Sequence, residues 1–340
     1  MDNSGIDFKY TKNKVSVLGV SVKEGQNLTG VEQAPNEMRN GGLLECLKQL
    51  GWEVNDLGDL TKETVEKEID ALVADNSQTF KYTHLHNIEV IGAVNKRLAE
   101  INHEESKKNQ FVLNLGGDHG LASGTITGML RTYPDLKLIW FDAHGDCNTP
   151  DGSPSGNYHG MPVAHILDWI KKGEVKGFEW LDVHLKPENL VFIGLRDLDK
   201  PEKKLLKDHN IRFYTPYDID HMGGIRHVMD DAFKYLNCDA NQKTPIHVSW
   251  DVDGCDPSYI YGTGTKARVG VSERESHYIL QRIAATGNLV SLDMVEANPA
   301  LDIVKEREVY HGDNPLIKGS AAICSSIELT LSAMGFSWHH

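Results

Sequence analysis

Leu136-Lys137-Leu138-Ile139-Trp140-Phe141-Asp142-Ala143-His144-Gly145-Asp146 is a short apolar run that ends abruptly in acids and an imidazole. Similar runs occur at Val15–Val22, Phe111–Leu115, Leu190–Leu195, Ile211–Tyr214, Ile246–Trp250 and Leu289–Val295. Most are continuously apolar rather than alternating, the pattern of strands buried on both faces, as in a parallel sheet. Between them, Glu37–Leu50, Leu85–Asn102, Gly120–Arg131, His159–Lys171, Ile225–Tyr235, Glu275–Thr286 and Ile317–Met334 repeat apolar residues at helical spacing. Strand and helix in alternation imply right-handed βαβ units. The expected fold is therefore a single three-layer α/β/α domain with a mostly parallel central sheet. It should span residues 13–336 after a flexible polar segment at 1–12, with long excursions at Asn148–Tyr158 and Asp256–Ser272. No linker or internal repeat divides the chain.

In open α/β sheets, ligands bind outside the carboxyl ends of the strands. Five strand ends here run into polar residues: Gly116-Gly117-Asp118-His119, Asp142-Ala143-His144-Gly145-Asp146, Arg196-Asp197-Leu198-Asp199, Asp251-Val252-Asp253-Gly254 and Glu296 after Val295. If extended geometry persists past Phe141, Asp142, His144 and Asp146 point the same way, and Asp251 and Asp253 repeat the pattern. Each motif alone is compatible with a capping or turn cluster. Together with His119 they form a set of four carboxylates and two imidazoles, which needs a cation to offset its charge. Oxygen-rich ligands with some imidazole and no thiolate suit manganese, with zinc, iron or cobalt as competitors. Six protein ligands exceed what one ion with room for water requires. Two ions bridged by shared carboxylates, about 3.5–4 Å apart, fit better.

The 340 residues carry a net charge of −14, which argues against nucleic acid or an anionic membrane as partner and for a cationic small molecule. The five cysteines form no Cys-x-x-Cys pair, and residues 1–10 hold no apolar leader. A reducing, cytoplasmic setting is expected.

At these motifs, and at Ser155-Gly156-Asn157-Tyr158-His159-Gly160 and Glu296-Ala297-Asn298-Pro299, the sequence resembles the ureohydrolase superfamily and, within it, the arginase family. The pieces stand in the family's order, and weaker similarity runs from about Val15 to Ser332. The resemblance implies an eight-stranded sheet and two Mn2+ per chain. It implies hydrolysis of the L-arginine guanidinium to L-ornithine and urea by a hydroxide bridging the two ions. His119, Asp142, Asp146 and Asp251 would hold one ion, and Asp142, His144, Asp251 and Asp253 the other. Asp146 would also orient the nucleophile, His159 would carry protons, and Glu296 would pair with the guanidinium. Asn148, Ser155 and Asn157 would bind the substrate's α-carboxylate, with Ser153, Asp197, Asp199 and Thr265 also lining the substrate site and Asp199 receiving the α-amino group. Arg274-Glu275 matches a pair at a trimer interface, so a homotrimer is implied.

The chain departs from the family pattern at Gly120, Gly145, Ser153-Pro154, Met161 and residues 259–266, which bears on substrate affinity and not on the metal ligands. Agmatinase or another guanidino-acid hydrolase is the nearest alternative. A catalytically silent member and a zinc deacetylase of related fold are others. All six ligand positions are present, which speaks against the silent reading, and a mononuclear site would leave several acids unexplained.

Overall fold

The computed structural model describes residues 13–239, 243–309 and 316–336; the segment at 1–12 expected to be flexible lies outside them. The chain runs β1 (Lys14–Val20), α1 (Ala34–Asn40), α2 (Leu43–Gln49), β2 (Glu53–Leu60), α3 (Glu66–Ala74), α4 (Ile88–Lys107), β3 (Phe111–Gly116), α5 (Ala122–Thr132), β4 (Lys137–Phe141) and α6 (Pro162–Ile166). It continues through β5 (Leu190–Ile193), α7 (Lys200–Asp208), β6 (Arg212–Tyr214), α8 (Pro216–His221), α9 (Ile225–Leu236), β7 (Ile246–Asp251), α10 (Glu273–Ala284) and β8 (Leu289–Val295). The strands β9 (Arg307–Val309) and β10 (Ile317–Gly319) and the helix α11 (Ala321–Ala333) close the order.

The first eight strands form one sheet in the order β2-β1-β3-β8-β7-β4-β5-β6. Every pairing in it is parallel. Along β3, Phe111 and Leu113 face a core shared with α1, α2, α9, α10 and α11, while Val112 faces a second core with α5 and α6. Strands β3, β7 and β8 are buried along their whole length, which explains their continuous apolar character.

Helices depart from the sequence pattern where backbone contacts override it. The expected helix Glu37–Leu50 breaks into α1 and α2 at Gly41-Gly42. A Cβ on Gly41 would lie 2.7 Å from both the Lys318 carbonyl and Ile327 Cδ1, and Gly42 takes φ 102°. Of the expected helix His159–Lys171, only Pro162–Ile166 forms, because Asp168 enters the left-handed region and the amides of Trp169 and Ile170 both return to the Ala164 carbonyl. The Ile317–Met334 segment begins as β10, paired antiparallel with β9, before Ser320 caps α11.

The strand order positions the site. The chain moves from β3 to β4 leaving a gap, and β7 and β8 later fill it. Residues about 180 positions apart in sequence therefore become neighbours, as Leu115 and Met294 are in register. The carboxyl ends of β3, β8, β7, β4 and β5 lie side by side on one rim.

Candidate metal centre

Asp142 leaves β4 fully buried. Its Oδ1 accepts the His144 amide at 2.7 Å, and its Oδ2 accepts Trp140 Nε1 at 2.9 Å. The strand ends at Phe141, and Asp146 sits at φ 45°, so the expected extended alternation does not persist. The side chains converge instead through a turn in which an aspartate accepts the amide two residues on. The same device recurs after β7, where Asp251 Oδ1 accepts the Asp253 amide at 2.8 Å. Asp253 Oδ1 then accepts the Ala143 amide at 3.2 Å, joining the two turns.

His119 opens a short 3-10 turn after β3 that Asp118 caps by accepting the Gly120 amide. Its ring stacks on Trp140 with centroids 4.1 Å apart. Nε2 lies 2.8 Å from Ser249 Oγ, which itself points at buried Asp293. Nδ1 faces Asp146 Oδ2 at 3.1 Å, Asp142 Oδ2 at 3.2 Å and Asp251 Oδ2 at 3.3 Å, yet it is buried with no hydrogen bond. His144 Nδ1 lies 3.1 Å from Asp253 Oδ2 and 3.3 Å from Asp142 Oδ1. Each Asp142 oxygen thus faces a different imidazole. Two overlapping ligand groups result, His119–Asp142–Asp251 and Asp142–His144–Asp253.

Electrostatics fit a cation at this point. Burial first, then the charges of Asp253 and Asp142, pushes the Asp251 carboxyl well above the usual range. Burial and the neighbouring Asp142 move Asp146 up to about 6. Asp142 is held low by His119 and His144 in spite of its burial, and both imidazoles are raised by the facing carboxylates against the effect of burial. Without a metal, the cluster must take up protons to balance its charge. A bound cation would replace them, which is the ordinary coupling of metal affinity to pH. The orphaned Nδ1, aimed at three carboxylate oxygens, is a ligand atom of the right type in the right place.

Above the cluster lies a cavity of about 140 Å³. His144, Asp146 and Asp251 line its floor, Asn148, Ser153, Ser155, Asn157 and His159 come from the loop, and Asp199 and Thr265 close the far side. Asn148 Nδ2 donates to Asp199 Oδ2 at 3.0 Å, and Thr265 Oγ1 donates to Asp253 Oδ2 at 3.0 Å. Asp197 stands apart from this lining: its side chain is 69% exposed, and it approaches His144 Nε2 at 3.7 Å. Glu296 follows β8 at φ 63° and lies behind the lining, 2% exposed, with Oε1 3.7 Å from His159 Nδ1. That contact outweighs burial to lift His159 to about 9, and it holds Glu296 low. Two non-glycine residues at positive φ within one site represent strain of about 1–3 kcal/mol each.

The Arginase family model matches residues 13–312. This chain belongs to the arginase family. It is 42% identical over 336 residues to the arginase of Plasmodium berghei, covering 95% of this chain and 93% of that one. Among solved structures it resembles the arginase from Bacillus subtilis (33% identity, TM-score 0.78, 96% and 99% of the two chains). It also resembles the Entamoeba histolytica arginase in complex with L-ornithine (27%, TM-score 0.77, again 96% and 99%). The chain is accordingly a metal-dependent hydrolase with the fold of this family. Among the described residues, no helix is long and apolar enough to cross a membrane.

Several residues in and around the site have roles that the sequence motifs do not assign. Glu202 lines the cavity and accepts the Asp199 amide at 2.9 Å, which completes the capping box of α7; Asp199-Lys200-Pro201-Glu202 is a helix-start signature that could have located it. Arg196 donates to the carbonyls of Gly194, Asp253, Gly254, Cys255, Ala267 and Arg268, tying the 254–268 segment to the end of β5. Ser249 lies in β7 two residues before Asp251, whereas Gln26 carries no local signal and only the tertiary fold brings it to the site.

Proposed function

We propose that this chain hydrolyses the guanidinium group of L-arginine to L-ornithine and urea, using two manganese ions, with residues 13–336 as the catalytic unit. The observation that carries the reading is the cluster of four carboxylates and two imidazoles beneath a cavity rimmed by amides, hydroxyls and Asp199. An acid-lined cavity suits a cation, and its rim suits the α-carboxylate and α-amino groups of an amino acid.

In this reading, His119, Asp142, Asp146 and Asp251 would hold one ion and Asp142, His144, Asp251 and Asp253 the other. Each Asp142 oxygen faces a different imidazole, which supports its place in both ligand sets. The six ligands include no thiolate, which favours manganese over a structural zinc site. When bound, the ions lower the pKa of water so that a strong nucleophile exists at neutral pH. The residues do the rest. Asn148, Ser153, Ser155 and Asn157 anchor the α-carboxylate, and Asp199 the α-amino group, so the guanidinium is aimed at the cluster and the entropic part of the barrier falls. Asp197, outside the cavity lining, approaches the site through His144 Nε2 at 3.7 Å. Glu296 holds the cationic guanidinium by charge-assisted hydrogen bonds. Asp146, its backbone fixed at positive φ, orients the nucleophile. His159 is 23% exposed, which suits a group passing a proton between the leaving amine and bulk water.

Steady-state assays on L-arginine and agmatine test the reading. Agmatine lacks the α-carboxylate, and each rim group left unpaired costs about 1–3 kcal/mol. A preference for arginine in kcat/KM of at least about two orders of magnitude is expected. Equal rates on the two substrates would sink the assignment. We extend the proposal to a cytoplasmic homotrimer. Glu275 is engaged in the capping box of α10, which leaves the exposed Arg274 for a subunit contact, and sedimentation of Arg274→Glu should show a shift toward monomer.

A further inference from the structure

The loop after β1 contributes no metal ligand, yet it crosses the site. Gly25 donates its amide to Asp118 Oδ2 at 2.9 Å, and its carbonyl accepts the His159 amide at 3.1 Å. Only glycine allows this approach, since a Cβ there would lie 2.3 Å from Asp118 Oδ1. Gln26 is thereby turned inward, 7% exposed, with its own amide donating to the Lys23 carbonyl at 3.1 Å. Its Nε2 donates to both oxygens of Glu296, at 2.7 Å to Oε2 and 3.0 Å to Oε1.

Lone-pair counting gives this contact a meaning. A carboxylate offers about four acceptor positions. The His119 amide, at 2.8 Å, and Gln26 fill two on Oε1, and Gln26 fills one on Oε2. One position on Oε2 stays open. The donor's chemistry matters equally. A buried carboxylate needs partners to offset desolvation. A lysine or arginine at position 26 would neutralise Glu296, whereas an amide satisfies its geometry and leaves its charge for a cationic ligand. Resting on the reading of Glu296 as the guanidinium's partner, we infer that Gln26 is a positioning residue: it sets the plane of the Glu296 carboxylate and leaves one charged acceptor for the substrate. Gly264, in the segment at 259–266 where this chain departs from the family pattern, lies beside Gln26: a Cβ there would come within 3.3 Å of Gln26 Oε1.

The test compares Gln26→Leu with wild type in the metal-loaded enzyme. Leu keeps the bulk and removes the donor. Inhibition by guanidinium ion probes the distal end of the site alone. Inhibition by L-norvaline probes the α-groups alone, since its side chain carries no cation. The expected result is at least a tenfold rise in KM for L-arginine and in Ki for guanidinium, with Ki for L-norvaline within about twofold and metal content unchanged. Equal weakening of both inhibitors would show a merely structural role and overturn the inference, as would no change in either. If Gln26→Leu does not fold, Gln26→Met serves in its place. It keeps the length of the side chain, removes the donor, and should give the same split between the inhibitors. Glu296→Gln separates the inference from the reading beneath it. If that variant weakens guanidinium and the Gln26 variant does not, the inference alone fails. If Glu296→Gln leaves guanidinium inhibition untouched, both fail.

Discussion

His165 offers a prediction whose sign reverses with pH. It is 3% exposed, its ring stacks on Phe178 with centroids 4.4 Å apart, and its Nδ1 lies 2.7 Å from Tyr158 Oη. Tyr158 Oη also lies 2.7 Å from Ser123 Oγ, so Ser123 can donate to the phenol, which donates to His165. This chain seats the turn that carries His159. Burial, reinforced by the nearby His184, pushes His165 from 6.5 down to about 3. Because the folded value lies below the unfolded one, the unfolded chain takes up the proton first. Stability is untouched above about pH 6.5 and falls as pH drops from there toward 3. Each pH unit below 6.5 costs about 1.4 kcal/mol, so about 2 kcal/mol is lost by pH 5. In His165→Phe that loss disappears. The variant forfeits one hydrogen bond, worth about 1 kcal/mol, while Tyr158 keeps Ser123. It should therefore be about 1 kcal/mol less stable than wild type at pH 7 and about 1 kcal/mol more stable at pH 5. Urea unfolding followed by tryptophan fluorescence at both pH values, at one metal concentration, measures this. Other titrating groups are common to both proteins and cancel in the difference. The same gap at pH 7 and pH 5 would refute the argument.

Asp251→Ala should lower bound metal per chain, measured by elemental analysis, and abolish turnover; full activity with unchanged metal content would end the two-ion reading. His159→Ala should retain metal and lose at least about tenfold in turnover, with partial recovery in imidazole buffer, whereas wild-type turnover across the pH range would reduce the residue to a structural role. Tyr82 Oη donates to Asp151 Oδ2 at 2.5 Å, and the His86 amide donates to the Gly156 carbonyl at 3.2 Å, so this segment braces the loop at 148–158. Tyr82→Phe should raise KM for L-arginine several-fold with kcat within about twofold, and an unchanged KM would show that the loop needs no brace.

How much of this was legible beforehand depends on burial. Seven of the eight strands in the main sheet show as apolar runs; for β3, β7 and β8 the reason is that both faces are covered, whereas β6, an edge strand with only Tyr214 buried, shows by the aromatic pair Phe213-Tyr214 beside Ile211. Glu53–Leu60, the other edge strand, has Leu60 as its one buried residue and no such pair, and nothing local distinguishes it from a loop. Helices α7 and α8 were recoverable from their capping boxes, although their apolar content is low. The metal ligands were legible because acids and imidazoles directly after apolar strands are rare. How they converge was not, since the two aspartate turns rest on hydrogen bonds that a period-two pattern does not encode.

Residue chemistry and its place at strand ends follow from the sequence alone, because side-chain type and local periodicity are local properties. These were enough for a parallel α/β sheet with an acid- and imidazole-rich rim. Strand order is not local: it depends on which faces bury each other once β7 and β8 return to fill the gap between β3 and β4. That choice brings Glu296 to His159 and lets the loop after β1 lay Gln26 across the Glu296 carboxylate. It also brings His119 to the Asp142 oxygen that His144 does not face. No spacing in the chain announces these contacts, because each joins segments that meet only when the sheet closes.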